Sequence, residues 1–358
     1  MNRLNRPAPP TRRAMLVGLG ASTAALLAGC SNANPFAVHR RRGAVVVGSQ
    51  QYYSNEVIAE LFAQAIEAKG LTVQREFRIG QREAYLPEIA SGSIDVIPEY
   101  GGNLLQYYQR SSVTASASPA GSGGSTEGSE GAEGTGSGGG AASPSPATAD
   151  AVQEELARVL PAGLRVLPPA EATDQDSFAV TRSSAEAHGL VSIGDLASLG
   201  RGVSMAANSE FIARPYGPAG VKAVYGVDIE VTPVEDSGGP LTVKALTDGS
   251  VDVADIYSSD PAIEANGLVV LEDPAGLIAP QRVTPLVAES LAAPAVEAIE
   301  AVCARLAPGE LRALNARSTG EQLAAEVIAA DCLRPWAAGA GGCGSGSGSP
   351  VRAARPQE

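Results

Sequence analysis

The side chains that usually perform catalysis are scarce in this sequence. It contains two histidines, His39 and His188, and four cysteines with no C-x-x-C pair. Zinc sites and Ser-His or Cys-His catalysis need such groups at close spacing, and no nucleophile with a positioned base can be named. We therefore expect no metal, no cofactor and no enzymatic activity. Polar and aromatic residues gather instead in loops that follow expected strands, where ligands of α/β sheets bind.

The charge balance excludes a second group of functions. The 358 residues include 26 Lys and Arg against 39 Asp and Glu, a formal net charge of -13, and 44% of the residues are hydrophobic. A nucleic-acid surface needs an excess of Lys and Arg that is absent here, and acidic lipid surfaces are disfavoured for the same reason. The length and apolar content suffice for one large or two medium globular domains.

Expected strands and helices alternate along most of the chain. The strands fall near residues 44–47, 71–77, 94–98, 165–167, 177–181, 202–206, 230–233 and 251–256, and the helices near residues 56–69, 82–90, 151–160, 193–198, 219–225 and 241–247. In the first helix, Val57, Leu61 and Ala65 recur at helical spacing. Repeated βα units predict an α/β fold with mostly parallel sheets covered by helices.

The N-terminus has the pattern of an export signal. Four arginines precede an apolar stretch of small residues, 14–28, and Leu27-Ala28-Gly29-Cys30 closes it. This ending resembles the lipobox of bacterial lipoproteins, in which the cysteine is acylated. We expect a signal peptide over residues 1–29, lipid attachment at Cys30, a tether over residues 30–42 and a location on the extracytoplasmic face of the cell membrane. An ordinary signal peptide and a twin-arginine signal at Arg12-Arg13 remain open.

Low-complexity sequence marks two further segments. Residues 111–150 are mostly Gly, Ser, Ala, Thr and Pro, a composition that cannot bury enough apolar surface to offset its ordering entropy. We expect a disordered surface insertion there, with a glycosylated stalk as the alternative. Residues 337–358 are expected to form a disordered tail.

Export also bears on the cysteines, because thiols tend to pair in an oxidising compartment. Cys303 and Cys332 lie on two expected helices near the C-terminus. We predict that they form a disulfide. Cys343 lies in the glycine-rich tail and either stays free or competes for this pairing.

Four loops give the sequence its specific character. They are Gly48-Ser49-Gln50-Gln51-Tyr52-Tyr53-Ser54-Asn55-Glu56, Pro98-Glu99-Tyr100-Gly101-Gly102-Asn103, Glu210-Phe211-Ile212-Ala213-Arg214-Pro215 and the stretch 251–260 around Tyr257. In their order and spacing, behind a lipobox, they resemble the substrate-binding proteins of osmoprotectant ABC importers, which capture glycine betaine, choline and related quaternary amines. The resemblance covers residues 43–335 without the insertion.

The resemblance implies a two-lobed periplasmic-binding-protein-like body of type II, a Venus flytrap with two hinge crossings. We expect the first lobe to comprise residues 43–172 and 261–336, and the second lobe residues 173–260. The implied function is to capture a quaternary ammonium compound and deliver it to an ABC permease with its ATPase subunits. A monomer tethered to the membrane by lipid, with no nucleic-acid partner, is expected.

The resemblance also assigns ligand-binding residues. Tyr100 and Tyr257 match tyrosines that surround the trimethylammonium group, and Tyr52 matches the usual aromatic of the first loop. Arg214 matches an arginine that binds a ligand carboxylate, a role that suits a bidentate guanidinium. Tyrosines on expected helices or at the surface are interpreted as packing residues: Tyr85, Tyr107, Tyr108, Tyr216 and Tyr225.

Several positions depart from the family pattern. Asp176 stands where another cage tyrosine is frequent, Gln281 where a further tyrosine is expected, and Gln50 where a lysine is common. Gly101 replaces a threonine. With Ser49, these residues predict a more polar pocket than usual, in which Asp176 favours a cation or lies at the solvated rim.

Two other classes of function remain open. The incomplete aromatic cage allows a different polar solute, such as a polyamine, a sugar or a phenol, whose binding does not depend on a permanent positive charge. Alternatively, the protein is a sensor or structural lipoprotein that keeps the two lobes without transport. Competition between quaternary amines and neutral isosteres distinguishes a receptor for quaternary amines from a receptor for another polar solute.

Overall fold

The computed structural model describes residues 41–116 and 148–337. The strands are β1 (Val45–Gly48), β2 (Val73–Glu76), β3 (Val96–Tyr100), β4 (Leu164–Val166), β5 (Phe178–Thr181), β6 (Val203–Ala207), β7 (Ile229–Pro233), β8 (Val253–Asp255), β9 (Leu268–Val270) and β10 (Val283–Ala288). The helices are α1 (Tyr53–Ala68), α2 (Arg82–Ala90), α3 (Gly101–Ser116), α4 (Ala149–Val159), α5 (Arg182–His188), α6 (Pro218–Tyr225), α7 (Pro240–Thr247), α8 (Ala262–Ala265), α9 (Ala293–Cys303), α10 (Pro308–Thr319) and α11 (Ala325–Ala337). Within this part of the chain, no helix combines the length and apolar character needed to cross a membrane.

The strands form two five-stranded sheets, with orders β2-β1-β3-β10-β4 and β7-β6-β8-β5-β9. In the first sheet β1 is parallel to β2 and β3, while β10 is antiparallel to β3 and β4. In the second sheet β6 is parallel to β7 and β8, while β5 is antiparallel to β8 and β9. One strand in each sheet therefore runs against the other four. The expectation of mostly parallel α/β sheets is confirmed, with β10 and β5 as the exceptions.

Both faces of the first sheet are covered, as the apolar runs of its strands predict. Val47 packs in a core with α1, α9, α10 and α11, whereas its neighbour Val46 packs in a core with α2, α3 and α4 on the other face. In β3, Val96 packs in the same core as Val47 and Ile97 packs in the same core as Val46. Because successive strand residues point to opposite faces, such a sheet needs apolar residues at consecutive positions.

The chain passes between the two sheets twice, and the two passages lie side by side. Val283 donates its backbone N–H to Ala172 (2.9 Å), and Ala170 donates to Val283 (2.8 Å). Thr173 and Arg282 form an isolated antiparallel bridge. The first passage leads into β5 and the second into β10, which are the two reversed strands. Paired connecting segments of this kind are a natural hinge between two lobes.

The expected return to the first lobe at Pro261 is wrong. Strand β9 follows that proline and pairs antiparallel with β5 of the second sheet, and Leu271 and Ile278 are buried in the core of the second lobe. The apolar run 268–271 has the composition of a buried strand and adds an edge to the second sheet, so the chain returns only where Gln281 and Arg282 reach the hinge.

The predicted disulfide between Cys303 and Cys332 is also wrong. Cys303 is a free, buried thiol, and Cys332 forms a disulfide whose other half is not among the described residues. Both cysteines lie in the same apolar core, but sharing a core does not place two sulfurs at the short distance and fixed geometry that a disulfide needs. Cys303 therefore acts as a small apolar side chain.

Several predictions concern residues outside the described part. These are the signal peptide 1–29, Cys30, most of the tether, the middle of the 111–150 insertion and Cys343 with nearly all of the tail. At the borders the structure corrects two limits: α3 continues to Ser116, beyond the expected start of the insertion, and α4 begins at Ala149.

Candidate functional site

A cleft between the two sheets is lined by residues from both lobes and from the first hinge passage. The lining residues are Gln50, Tyr52, Gln81, Arg82, Tyr100, Asn103, Asp174, Asp176, Glu210, Arg214, Tyr216 and Tyr257. Many of them follow the carboxyl ends of β1, β3, β6 and β8. In α/β sheets, the loops at these ends converge and carry the binding residues.

Three tyrosine rings form one side of the cleft. Tyr52 caps the start of α1, Tyr100 ends β3 and Tyr257 follows β8. The centroids of Tyr52 and Tyr100 are 6.2 Å apart with their planes 26° from parallel, and those of Tyr52 and Tyr257 are 5.3 Å apart at 55°. Ring faces carry partial negative charge, so the cluster can attract a cation.

Two buried polar groups on this side lack a partner within the described residues. The Tyr100 hydroxyl and the Gln50 Nε2 atom are both enclosed and make no hydrogen bond there. Burial raises the pKa of Tyr100 above its ordinary value, and the nearby Asp174 carboxylate raises it further. Tyr100 is therefore a neutral phenol that can donate a hydrogen bond to a ligand. Unsatisfied buried polar groups are costly, which makes them candidates for contacts with a bound molecule.

Asp174 lies on the first hinge passage, next to the tyrosines. Its Oδ1 atom accepts hydrogen bonds from the Ser259 hydroxyl (2.6 Å) and the Ser259 backbone N–H (3.2 Å). Its Oδ2 atom is buried and has no partner among the described residues. Because burial disfavours the charged form, the pKa of Asp174 is raised to about 6.

A second carboxyl pair lies further along the cleft. Asp176 Oδ2 accepts a hydrogen bond from the Tyr216 hydroxyl (2.7 Å), and the Asn103 amide lies 3.5 Å from the same oxygen. Asp255, at the end of β8, is buried beside it. Burial and the neighbouring Asp176 raise the pKa of Asp255 well above its usual range. Burial therefore favours the protonated, neutral form of Asp255.

Both arginines of the lining are already paired. Arg214 Nη2 lies 2.8 Å from Oε2 of Glu210, which is four residues earlier in the chain. Arg82, 3% exposed, binds the fully buried Glu99 with two parallel bonds of 2.8 Å. Glu99 also accepts hydrogen bonds from the Tyr85 hydroxyl and the Tyr100 backbone N–H. Each positive charge in the wall therefore has its own counter-ion.

The structure brings six of the eight expected ligand-binding residues to the cleft. They are Tyr52, Tyr100, Tyr257, Arg214, Asp176 and Gln50. Ser49 is instead buried in the first loop, where its hydroxyl donates to the Gln50 carbonyl (2.9 Å) and accepts from the Arg78 N–H (2.9 Å). Gln281 lies behind the wall and binds Asn103 through both ends of its amide, at 2.9 Å and 3.0 Å.

Sequence reasoning missed several lining residues, among them Asp174, Glu210 and Tyr216. Tyr216 does pack as expected, with its ring 5.9 Å from that of Phe211, but its hydroxyl points at Asp176 in the cleft. Asp174 lies two residues before Asp176, which was an expected site residue, and this spacing is the sequence feature that could have identified Asp174. Glu210 lies four residues before Arg214, a spacing that favours an ion pair.

Two α/β lobes, two adjacent crossings and a polar cleft at the ends of the strands define the fold of the type II periplasmic binding proteins. The chain belongs to the family of the substrate-binding domain of the ABC-type glycine betaine transport system, whose family model matches residues 43–334. This confirms the resemblance drawn from the loops. The family consists of binding and transport proteins rather than enzymes.

Individual relatives agree with the family. The glycine betaine-binding protein YehZ of Escherichia coli K12 is 25% identical over 301 residues, which cover 81% of this chain and 90% of YehZ. The structure of apo YehZ aligns with a TM-score of 0.55 at 24% identity, over 82% of this chain and all of that chain. A solved glycine betaine/carnitine/choline ABC transporter protein aligns with a TM-score of 0.60 at 18% identity, over 81% of this chain and 97% of that chain. At these identities the structures establish the fold.

Proposed function

We propose that this protein captures a quaternary ammonium compound between its lobes and delivers it to a membrane permease of an ABC importer. The observation that carries the proposal is the convergence of Tyr52, Tyr100 and Tyr257 on one cleft. Family membership supports the same function.

The physical chemistry of the ligand explains this choice of side chains. A quaternary ammonium cannot donate an N–H hydrogen bond, so it is held by ring faces and by carboxylates. Each ring contributes about 0.5 to 2 kcal/mol, depending on how far the contact is desolvated. Tyr52 and Tyr257 are in contact, so the cationic group lies against their free faces or enters as the lobes separate.

The rest of the proposal concerns anchoring and partners. The lipobox-like sequence supports lipid attachment at Cys30 on the extracytoplasmic face, after removal of a signal peptide. A permease and its ATPase subunits are the partners of the closed form, and a monomer is the proposed receptor. Closure about the paired hinge passages is the proposed motion.

Calorimetric titration tests the proposed function. Choline is compared with 3,3-dimethylbutan-1-ol, which has a neutral carbon in place of the ammonium nitrogen. We expect choline to bind and the neutral isostere to bind at least about tenfold more weakly, because it lacks the attraction to the rings and carboxylates. Equal binding of the two would instead favour a polar solute recognised without its charge.

A matched pair of variants places the binding in the cleft. Tyr100→Ala removes a lining ring, whereas Tyr107→Ala removes a ring of the Tyr107–Tyr108 pair, which lies outside the lining. Choline affinity should fall in the first variant and stay unchanged in the second. The same loss in both would place the ligand elsewhere.

A further inference from the structure

The fixed charges of the cleft wall are unevenly compensated. Arg82 is neutralised by Glu99 and Arg214 by Glu210. Asp174 and Asp176 also line the cleft, yet neither forms an ion pair with any residue in 41–116 or 148–337. The charge left unbalanced in the wall is therefore negative.

Of these two carboxylates, Asp174 has surroundings that supply no positive charge. Its Oδ2 atom is enclosed without a partner in the described residues, and the side chain is 6% exposed. The groups that face it are the hydroxyl and N–H of Ser259, the Ser54 hydroxyl, the Tyr52, Tyr53 and Tyr100 side chains and the Asp260 carboxyl. A buried charge without a counter-ion is expensive.

We infer that the cleft selects a ligand with a net positive charge, a quaternary amino alcohol, over a zwitterionic betaine, and that Asp174 is the residue that determines this selectivity. The inference deepens the proposed function and rests on it. Both kinds of ligand present the same trimethylammonium group to the tyrosines. They differ at the other end, where one has a hydroxyl and the other a carboxylate.

The wall suits the hydroxyl better than the carboxylate. A hydroxyl can accept from the free Gln50 Nε2 or the Tyr100 hydroxyl and can donate to a carboxylate oxygen of the wall. A carboxylate can accept from the same two donors but has no proton to donate to Asp174 or Asp176, and the guanidinium of Arg214 already serves Glu210. It would also meet Asp176, and like charges at close range repel each other.

Protonation gives the inference an independent readout. Without a ligand, burial raises the pKa of Asp174 to about 6, so a proton balances the charge in mildly acidic solution. A cationic ligand replaces that proton, and its affinity should rise as the pH increases through this value. A zwitterion depends less on this exchange because its own carboxylate opposes the ionised Asp174.

The test is calorimetric titration of the full-length protein with choline and with glycine betaine at pH 7.5 and pH 5.0. At the higher pH we expect choline to bind at least about tenfold more tightly than glycine betaine, and at the lower pH we expect this ratio to shrink. Asp174→Asn keeps the shape and an acceptor for Ser259 but removes the charge, so the ratio should fall to within about threefold. Asp95→Asn removes a buried carboxylate at the opposite end of β3, where it holds the Val46 N–H, and should leave the ratio unchanged.

A further variant tests directly whether Glu210 neutralises Arg214. Glu210→Gln frees Arg214 and should strengthen glycine betaine binding several-fold with little gain for choline. Wild-type protein that prefers glycine betaine would overturn the inference while leaving the proposed function intact. A choline preference that survives in Asp174→Asn would overturn the assignment to Asp174. Failure of both ligands to bind would overturn the proposed function and this inference with it.

Discussion

The Tyr52 ring meets the Tyr257 ring across the two lobes, with centroids 5.3 Å apart. Tyr52 caps the start of α1 beside the first sheet, and Tyr257 follows β8 of the second sheet. A hydrogen bond of 2.7 Å from the Tyr53 hydroxyl to Asp260 joins the same two regions. The aromatic part of the site is therefore complete only when the lobes approach each other.

Replacing Tyr100 or Tyr257 by alanine should weaken quaternary amine binding by about 1 to 3 kcal/mol, through lost ring contact and lost cation attraction. Phenylalanine should cost much less because the ring face remains. Isothermal titration of the four variants measures both effects. If the alanine variants bound as tightly as the parent, the aromatic site would be assigned wrongly.

Arg214→Ala should separate the two kinds of ligand. Glycine betaine should bind more weakly, because removing the guanidinium leaves Glu210 without its counter-ion and adds negative charge near the ligand carboxylate, while choline should bind at least as tightly as before. The same titrations measure the change. A parallel loss for choline would show that Arg214 maintains the shape of the site rather than contacting a carboxylate.

Asp176→Asn should act in the opposite sense. It removes a counter-charge that accepts a 2.7 Å hydrogen bond from Tyr216, so cationic ligands should weaken, choline most of all because it carries no compensating negative group. Competition between choline and glycine betaine provides the readout. An unchanged preference would place Asp176 at the solvated rim.

Breaking the buried ion pair between Arg82 and Glu99 should destabilise the first lobe strongly. Glu99→Gln weakens the pairing of a buried guanidinium, and breaking a buried pair costs about 3 to 5 kcal/mol. The exposed pair of Arg158 with Glu155 offers a control, since Arg158→Ala should cost less than about 1 kcal/mol. Urea denaturation compares the two, and equal losses would contradict the argument.

Stability without ligand should fall as the pH rises through the titration of Asp174. Burial raises the pKa of this carboxyl from 3.8 to about 6, so the folded state binds more protons than the unfolded state between these values. The stability lost from this group is up to about 3 kcal/mol, a bound set by the size of the shift.

Calorimetric melting between pH 4 and pH 7 measures that loss. The difference between wild type and Asp174→Asn isolates this group from Asp255 and Glu210, whose pKa values are also raised by burial. The Asn variant should be the more stable protein at pH 7. If the stability of the two proteins changed with pH by the same amount, the raised pKa would be wrongly assigned to Asp174.

Cys303 should resist thiol reagents in the folded protein. Burial raises the pKa of its thiol to about 12, and the thiolate is the reactive form. Peptide mapping after labelling, without reductant, should find Cys303 modified only when the protein is unfolded. Cys303→Ala serves as the control for the assignment of the labelled peptide, and rapid labelling of native protein would contradict the burial argument.

Local sequence patterns predicted most of the strands and helices because their physical causes are local. The apolar pair Val46 and Val47 indicates a strand covered on both faces, and Gly70 marks the end of α1. The predicted end of the third strand at Pro98 is wrong, because that prediction assumed that proline ends a strand. Here it faces Pro285 across the antiparallel pair, so neither ring nitrogen has to donate to the other residue, and β3 continues to Tyr100.

The remaining differences come from contacts between distant residues. The tyrosines of the cleft could be found because loop motifs carry them, but the unpartnered oxygen of Asp174 depends on Ser259, far away in sequence. The second hinge passage likewise depends on β9 pairing with β5. No local pattern reveals which of two sheets an edge strand will join.

The ion pair between Glu210 and Arg214 also has an evolutionary consequence. Glu210 lies on a short 3-10 helix at the edge of the cleft, and its side chain is 28% exposed. A mutation there would unmask a guanidinium without disturbing either core. A single substitution can therefore change ligand preference in this lineage while the scaffold and the hinge are inherited intact.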